Sequence, residues 1–171
     1  MNINFAKLWK YHPEINGDKN PCRKKDGSKA FDDQCAIRIG FALAQCGYDI
    51  TKLKAESCWF HSKCEGHILR AEELANALSR TVIPGIFPVL KITAANFEDA
   101  LKNQTGIMFF KDYWRRGKES FDNRTGDHID LWNGSRLTTL SSWFRIQWGL
   151  SIEGEFSDFF DSKEIWFWKV L

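Results

Sequence analysis

Two kinds of hydrophobic periodicity divide this chain near Gly106, and their order limits the fold more than any other feature. Before that point apolar residues recur at helical spacing; after it they gather in short aromatic runs bounded by turn residues. Helices first and strands second argue for an α+β architecture with an antiparallel sheet, because a doubly wound sheet needs the two to alternate. Residues 1–11 set Ile3, Phe5, Leu8 and Trp9 on a short helix stopped by Pro13. Residues 15–30, rich in Gly, Lys, Asp, Asn and Ser, read as a surface loop. A helix follows, with Asp32 or Asp33 as N-cap and Cys46-Gly47 as its stop. Ile37, Ile39, Phe41 and Leu43 spread around it, which predicts deep burial. A second helix is predicted over residues 66–79, with Ile68, Ala71, Leu74, Ala75 and Leu78 as its core stripe. Pro84 and Pro88 break the next apolar stretch, and Thr93 reads as N-cap of a short helix through Phe97, Ala100 and Leu101. Strands are predicted over residues 107–113, 128–132, 137–148 and 165–171, with a polar loop at 117–126 and a hairpin turn at Asn133-Gly134.

With 171 residues, 43% of them hydrophobic, the chain reads as a single domain over residues 1–171 that builds its own core. Lys plus Arg number 24 and Asp plus Glu 22, a net charge of +2, so there is no electrostatic footprint for a nucleic-acid partner. An aromatic content of 15% excludes intrinsic disorder. No apolar run reaches the roughly 18 residues of a membrane span. Residues 1–13 alternate apolar with charged side chains and lack the continuous apolar stretch of a secretory signal, so export by another route is expected if the protein works outside the cytoplasm. Glycine-rich phosphate-binding patterns are absent.

Cysteine usage leaves the redox state open. The five cysteines are Cys22, Cys35, Cys46, Cys58 and Cys64, so at least one thiol stays free. The rest are either buried, reduced small hydrophobes or partners in disulfides formed in an oxidising space. Cys58 and Cys64 are close enough in sequence to bridge, and Cys22 is an alternative partner for either. Cys58, His61, Cys64 and His67 recur every three residues, but one short segment without a second ligand pair argues against zinc, and no metal is expected.

Chemistry concentrates at Cys35 and His128. Cys35 falls in the first turn of the first long helix, where unpaired N–H groups and the helix dipole favour an anion, so a lowered thiol pKa is expected. The Gln34 side-chain amide and the Cys35 main-chain N–H are candidate donors to a developing oxyanion. His128 opens a strand, and Asp130, two residues on, shares its face and is the candidate orienting group. Asp127 and Asn133 are rivals for that role. His12, His61 and His67 read as structural. The tryptophans of residues 143–148 and 166–168 read first as core, with one or two left over for a substrate groove.

The segment Gln34-Cys35-Ala36-Ile37-Arg38-Ile39-Gly40-Phe41-Ala42-Leu43 resembles the nucleophile helix of the family-4 amidase effectors of type VI secretion. Gly126-Asp127-His128-Ile129-Asp130-Leu131-Trp132-Asn133-Gly134 is similar to that family's histidine strand. Segments 66–75, 106–110 and 166–168 are similar to its second helix, first central strand and last strand, in the same order. The resemblance implies a papain-like fold of the NlpC type, with the nucleophile helix packed on an antiparallel sheet. It implies a toxin passed by the secretion apparatus into a rival cell's periplasm, cutting the D-glutamate–meso-diaminopimelate amide of peptidoglycan stem peptides. It implies a cognate immunity protein that blocks the site, a Cys35–His128 dyad, no cofactor and no membrane insertion. Oxidation of Cys22, Cys58 or Cys64 would fit the periplasm. One departure stands out: family members carry a third catalytic acid about a dozen residues after the histidine, whereas this chain reads Leu137-Thr138-Thr139-Leu140 there. Either Asp130 or a main-chain or amide group takes that place. Two other readings stay open beside the amidase: a non-catalytic cell-wall-binding module of the same fold, and a thiol hydrolase such as a deamidase acting on another substrate.

Overall fold

A computed structural model describes residues 2–93, 97–114, 118, 120, 125–138 and 162–171. Helix α1 spans Phe5–Tyr11; the Asn4 side chain accepts from the Lys7 N–H, and Pro13 starts a separate 3-10 turn, Pro13–Asn16.

Helix α2, Cys35–Gln45, is apolar on nearly every side, and seven of its eleven residues are buried. It starts later than the acids alone suggest. Gln34 occupies the N-cap position, and Asp33 acts from one residue further out, its Oδ1 accepting from the Cys35 N–H at 3.1 Å. Its end is as expected. Gly47 is left-handed (φ +85°), its N–H donating to Ala44 O at 2.8 Å while the Tyr48 N–H donates to Leu43 O at 3.2 Å.

Helix α3 covers Ala71–Arg80, five residues short of the predicted start. The missing segment is extended: Ser57 bridges Ile68, the Cys58 N–H donates to His67 O, and the Leu69 N–H donates to Glu56 O. This ladder is closed by a 3-10 turn, Lys63–Glu65, that ends in left-handed Gly66 (φ +82°). A Cβ on Gly40 would lie 2.1 Å from Gly66 O, and one on Gly66 would lie 2.3 Å from Gly40 O. Two glycines thus let the 56–70 segment cross α2 backbone against backbone.

A short strand β1, Leu90–Ile92, begins two residues after Pro88 and pairs with β4 at the sheet edge. Helix α4 is Phe97–Ala100. Strands β2, Gly106–Trp114, β3, Gly126–Trp132, and β4, Glu164–Lys169, complete an antiparallel sheet in the order β1-β4-β2-β3. Asn133-Gly134 makes the predicted turn: Gly134 has φ +94°, Asn133 Oδ1 accepts from the Ser135 and Arg136 N–H groups, and Trp132 bridges Leu137. The strand predicted for residues 137–148 lies outside the described residues from 139 onward, as do Trp143 and Trp148 and six of the ten residues of the 117–126 loop.

Strand alternation sorts the aromatics. Ile107, Phe109, Ile129, Leu131, Trp166 and Trp168 face a core shared with Leu8, Ile39, Leu43, Leu74 and Leu78. Met108, Phe110, Trp132, Ile165 and Phe167 face a second cluster with Phe97, Leu101 and Leu137, where Trp132 Nε1 donates to Leu101 O at 3.1 Å. Among the described residues no helix is long and apolar enough to cross a membrane. The α+β architecture matches the expectation.

Candidate active site

Cys35 opens α2 beside β3, an outermost strand of the described sheet, and both are set there by burial. The thiol is 3% exposed and sits at the backbone N–H of Ile129, the residue between His128 and Asp130. The fold thus brings together two segments more than ninety residues apart in sequence. The expected lowering of the thiol pKa is reversed. Burial pushes Cys35 well above the ordinary thiol value, the negative charge of Asp33 adds to this, and the Ile129 N–H pulls the other way. At rest Cys35 is a neutral thiol that needs a base.

His128 pairs with Phe110 across the β2–β3 ladder; its ring stacks on Phe110 and meets Tyr113 edge-on. Its Nε2 lies 3.7 Å from Asp130 Oδ2. Same-face neighbours on one strand are about 7 Å apart at Cα, so here the side chains lean together to meet. Asp130 is 2% exposed. Its Oδ1 accepts from the Leu131 N–H at 2.8 Å and from the Thr138 hydroxyl. Burial alone would raise this carboxyl, but the His128 hydrogen bond, the nearby His12 ring and the Thr138 bond together hold it well below the usual carboxylate range. It is an anion at every physiological pH. The rivals are occupied elsewhere. Asp127 Oδ1 accepts from the N–H of Asp112, a left-handed residue (φ +50°) at an irregularity in β2, and Asn133 serves the hairpin turn.

Two side chains have roles the sequence did not disclose. Gln34 is not available to an oxyanion: its Oε1 accepts from the Cys22 N–H at 2.8 Å, while its Nε2 donates to Cys22 O at 2.9 Å and Phe31 O at 3.2 Å. Both amide hydrogens are spent on holding the preceding loop. His12, read as structural, lies at the site: it is 1% exposed, with Nε2 3.7 Å from Asp130 Oδ1. Burial lowers it to about 4 despite the attraction of Asp130, with Arg38 and His128 adding to the lowering. Asp130 therefore lies between two imidazoles. Arg38 of α2 fixes the segment carrying His12, reaching Glu14 at 3.4 Å and Lys19 O at 2.8 Å. No signal within residues 8–16 indicates this contact; only the buried polar contact in three dimensions does.

All five cysteines are free thiols. Of the pairings left open by the sequence, the fold brings Cys22 and Cys58 together, Sγ to Sγ 3.1 Å. Cys64 is exposed, with its Sγ 3.0 Å from the Ser62 hydroxyl.

The fold is shared with solved proteins. The effector of the Tae4/Tai4 effector–immunity system from Salmonella typhimurium superposes with a TM-score of 0.63 at 20% identity, covering 100% of this chain and 99% of that one. The type VI effector Tae4 from Enterobacter cloacae gives 0.64 at 17% identity, covering 100% and 98%. The type VI effector–immunity complex Tae4–Tai4 from Enterobacter cloacae gives 0.63 at 19% identity, covering 100% of both chains. These likenesses confirm the α+β fold that the nucleophile-helix resemblance led us to expect. No curated protein sequence matches. The family model for type VI secretion system amidase effector protein 4 matches residues 31–168, a span that holds α2, β3 and all of the sheet but the last residue of β4. The chain belongs to the Tae4 family of type VI secretion amidase effectors.

Proposed function

We propose that this amidase effector cleaves the D-glutamate–meso-diaminopimelate bond of peptidoglycan stem peptides by thiol acyl transfer, the whole chain acting as one domain. The observation that carries the reading is the buried Cys35 thiol held at the Ile129 N–H, on the strand where the flanking His128 and Asp130 side chains meet at 3.7 Å. His128 takes the Cys35 proton as the sulfur attacks the D-glutamyl γ-carbonyl. Asp130 orients the imidazole and stabilises the imidazolium, filling the place of the later acid, and Thr138 holds it there. As the tetrahedral oxyanion forms, the Cys35 N–H exchanges the exposed Asp33 carboxylate for the new negative oxygen. His128 then protonates the departing diaminopimelate amine, and a water molecule deprotonated by His128 hydrolyses the thioester. The residues suffice without a cofactor.

Delivery by the type VI apparatus places this reaction in the target-cell periplasm, and a cognate immunity protein protects the producer, as effector–immunity complexes of the solved relatives suggest. The test is mass-spectrometric analysis of purified muropeptides incubated with wild type, Cys35→Ala, His128→Ala and Asp130→Asn. Wild type releases the diaminopimelate-containing peptide; Cys35→Ala and His128→Ala release none; Asp130→Asn is slower by about 10²–10⁴. Undiminished cleavage by Cys35→Ala refutes the mechanism. Saturable muropeptide binding without cleavage identifies a binding module, and release of ammonia from glutamine side chains identifies a deamidase.

A further inference from the structure

Away from β3, the side chains of Cys22, Cys58, His61 and His67 converge from two loops, their ligand atoms all within 4.8 Å of one another. Three of the four are buried: Cys22 is 0% exposed, Cys58 3% and His67 2%. His67 Nδ1 is buried with no hydrogen-bond partner. The His61 and His67 rings are 4.1 Å apart at their centroids. We propose that these four side chains form a structural tetrahedral zinc site.

The donor set and spacing support it. Two sulfurs and two imidazole nitrogens are the ligands that Zn²⁺ selects, and four protein ligands with no open position mark a structural rather than catalytic metal. Zn–S bonds of about 2.3 Å and Zn–N bonds of about 2.0–2.1 Å put tetrahedral ligand atoms about 3.3–3.8 Å apart. The Sγ atoms of Cys22 and Cys58, at 3.1 Å, would separate by about 0.7 Å to reach the spacing of two zinc-bound sulfurs. Binding replaces the two thiol protons, which pass to solvent.

The surroundings are arranged as an outer shell. The Phe60 N–H donates to Cys58 Sγ at 3.3 Å, which stabilises negative charge on the sulfur two residues earlier. Glu65 Oε2 lies 3.2 Å from His61 Nδ1, the carboxylate–imidazole contact that orients a metal-bound histidine. His61 Nε2 lies 3.1 Å from Arg23 O, so metal binding exchanges that hydrogen bond for the Zn–N bond. Glu65 is itself fixed by a capping box with Ser62. The regular spacing in the sequence points to Cys64 as the fourth ligand; the fold replaces it with Cys22, thirty-six residues before Cys58, and leaves Cys64 in solvent.

The metal would tie down a part of the chain with little else to hold it. Between Gly17 and Gln34 the one β-bridge among described residues is Arg23–Lys29, flanked by the Ala30 N–H to Cys22 O and Lys24 N–H to Ser28 O bonds. Cys22 is gripped by Gln34, and Cys22 and Cys58 pack on Ile37. A zinc ion there staples two loops to the first turn of the helix that carries Cys35. The proposal is independent of the amidase reading, because none of the four ligands belongs to the Cys35–His128 pair.

The experiment uses the full chain purified under reducing conditions, incubated with zinc, freed of excess metal, and analysed by elemental mass spectrometry. One zinc per chain is expected, and cobalt(II) substitution is expected to give intense tetrahedral d–d bands with a thiolate-to-cobalt charge-transfer band. Cys22→Ser and His67→Ala lose both signatures, whereas Cys46→Ser, Cys64→Ser and Cys35→Ala keep them. Should the buried variants fail to fold, Glu65→Gln, whose side chain lies near the surface, is expected to fold normally and bind zinc roughly 10–100-fold more weakly. Absence of the charge-transfer band, zinc retained by Cys22→Ser, unchanged affinity in Glu65→Gln, or a Cys22–Cys58 disulfide in place of metal in the reduced preparation overturns the proposal.

Discussion

His12 gives this protein an acid sensitivity that can be calculated. An unfolded chain has this histidine titrating at 6.5, while burial in the native state lowers it to about 4. On acidification the unfolded chain therefore takes up the proton first, and stability falls as pH drops from about 6.5 toward 4 and then levels. Between pH 7 and pH 5 the linkage integral over this one group comes to about 2 kcal/mol, at 1.36 kcal/mol per unit of unequal protonation. That is a large share of the 5–15 kcal/mol typical of a domain. Other groups titrate over the same interval, His67 among them, so the informative comparison is with His12→Gln. Contributions from distant groups cancel in that difference. Urea unfolding of both proteins at pH 7 and pH 5 should show wild type losing about 2 kcal/mol more than the variant. Parallel losses would mean that His12 is not held neutral in the native state, and the account of Asp130 between two imidazoles would fail with it.

Three further outcomes follow from the same geometry. Gln34→Ala removes both bonds to the Cys22 backbone; the Cys22 O keeps the Ala30 N–H but the buried Cys22 N–H is left unsatisfied, so a loss of about 1–3 kcal/mol is expected in denaturant titration, with α2 itself intact by circular dichroism. Gly40→Ala drives a methyl group into the Gly66 carbonyl and should cost about 3 kcal/mol or more; a melting temperature equal to wild type would contradict the crossing described above. Asp33→Asn removes the charge that holds the Cys35 thiol proton, so alkylation of Cys35 at neutral pH should accelerate by up to about tenfold, measured by peptide mass spectrometry against Cys46 as internal reference.

What could be read from the sequence follows from how local each signal is. Helix α2 is legible because its apolar residues surround it and Gly47 supplies a left-handed stop, both within one window. The Asn133-Gly134 turn is legible for the same reason. Helix α3 starts later than its apolar spacing predicts because His67 and Leu69 bond to Cys58 and Glu56, a pairing no window of residues reveals. Strand β1 is only three residues long and its partner, β4, lies more than seventy residues on, so no window of residues reveals it. At the site, Cys35 and His128 were suggested by their positions on elements, and Asp130 by strand alternation. Gln34 was misread because its partner lies twelve residues upstream, and His12 because its partner lies on a strand more than a hundred residues away. Thiol acidity was misjudged since the helix start favours an anion while enclosure, invisible in one dimension, favours the proton.

The order of the strands bears on how the molecule is made. β4 comes after every other described strand in the chain, yet it lies between β1 and β2 and pairs with both. β2 and β3 are able to pair as soon as they leave the ribosome, but β1 has no neighbour until residues 164–169 emerge. A nascent chain that lacks them has half a sheet and one face of each aromatic cluster open to water. The sheet that backs α2 is therefore complete only when residues 164–169 are in place.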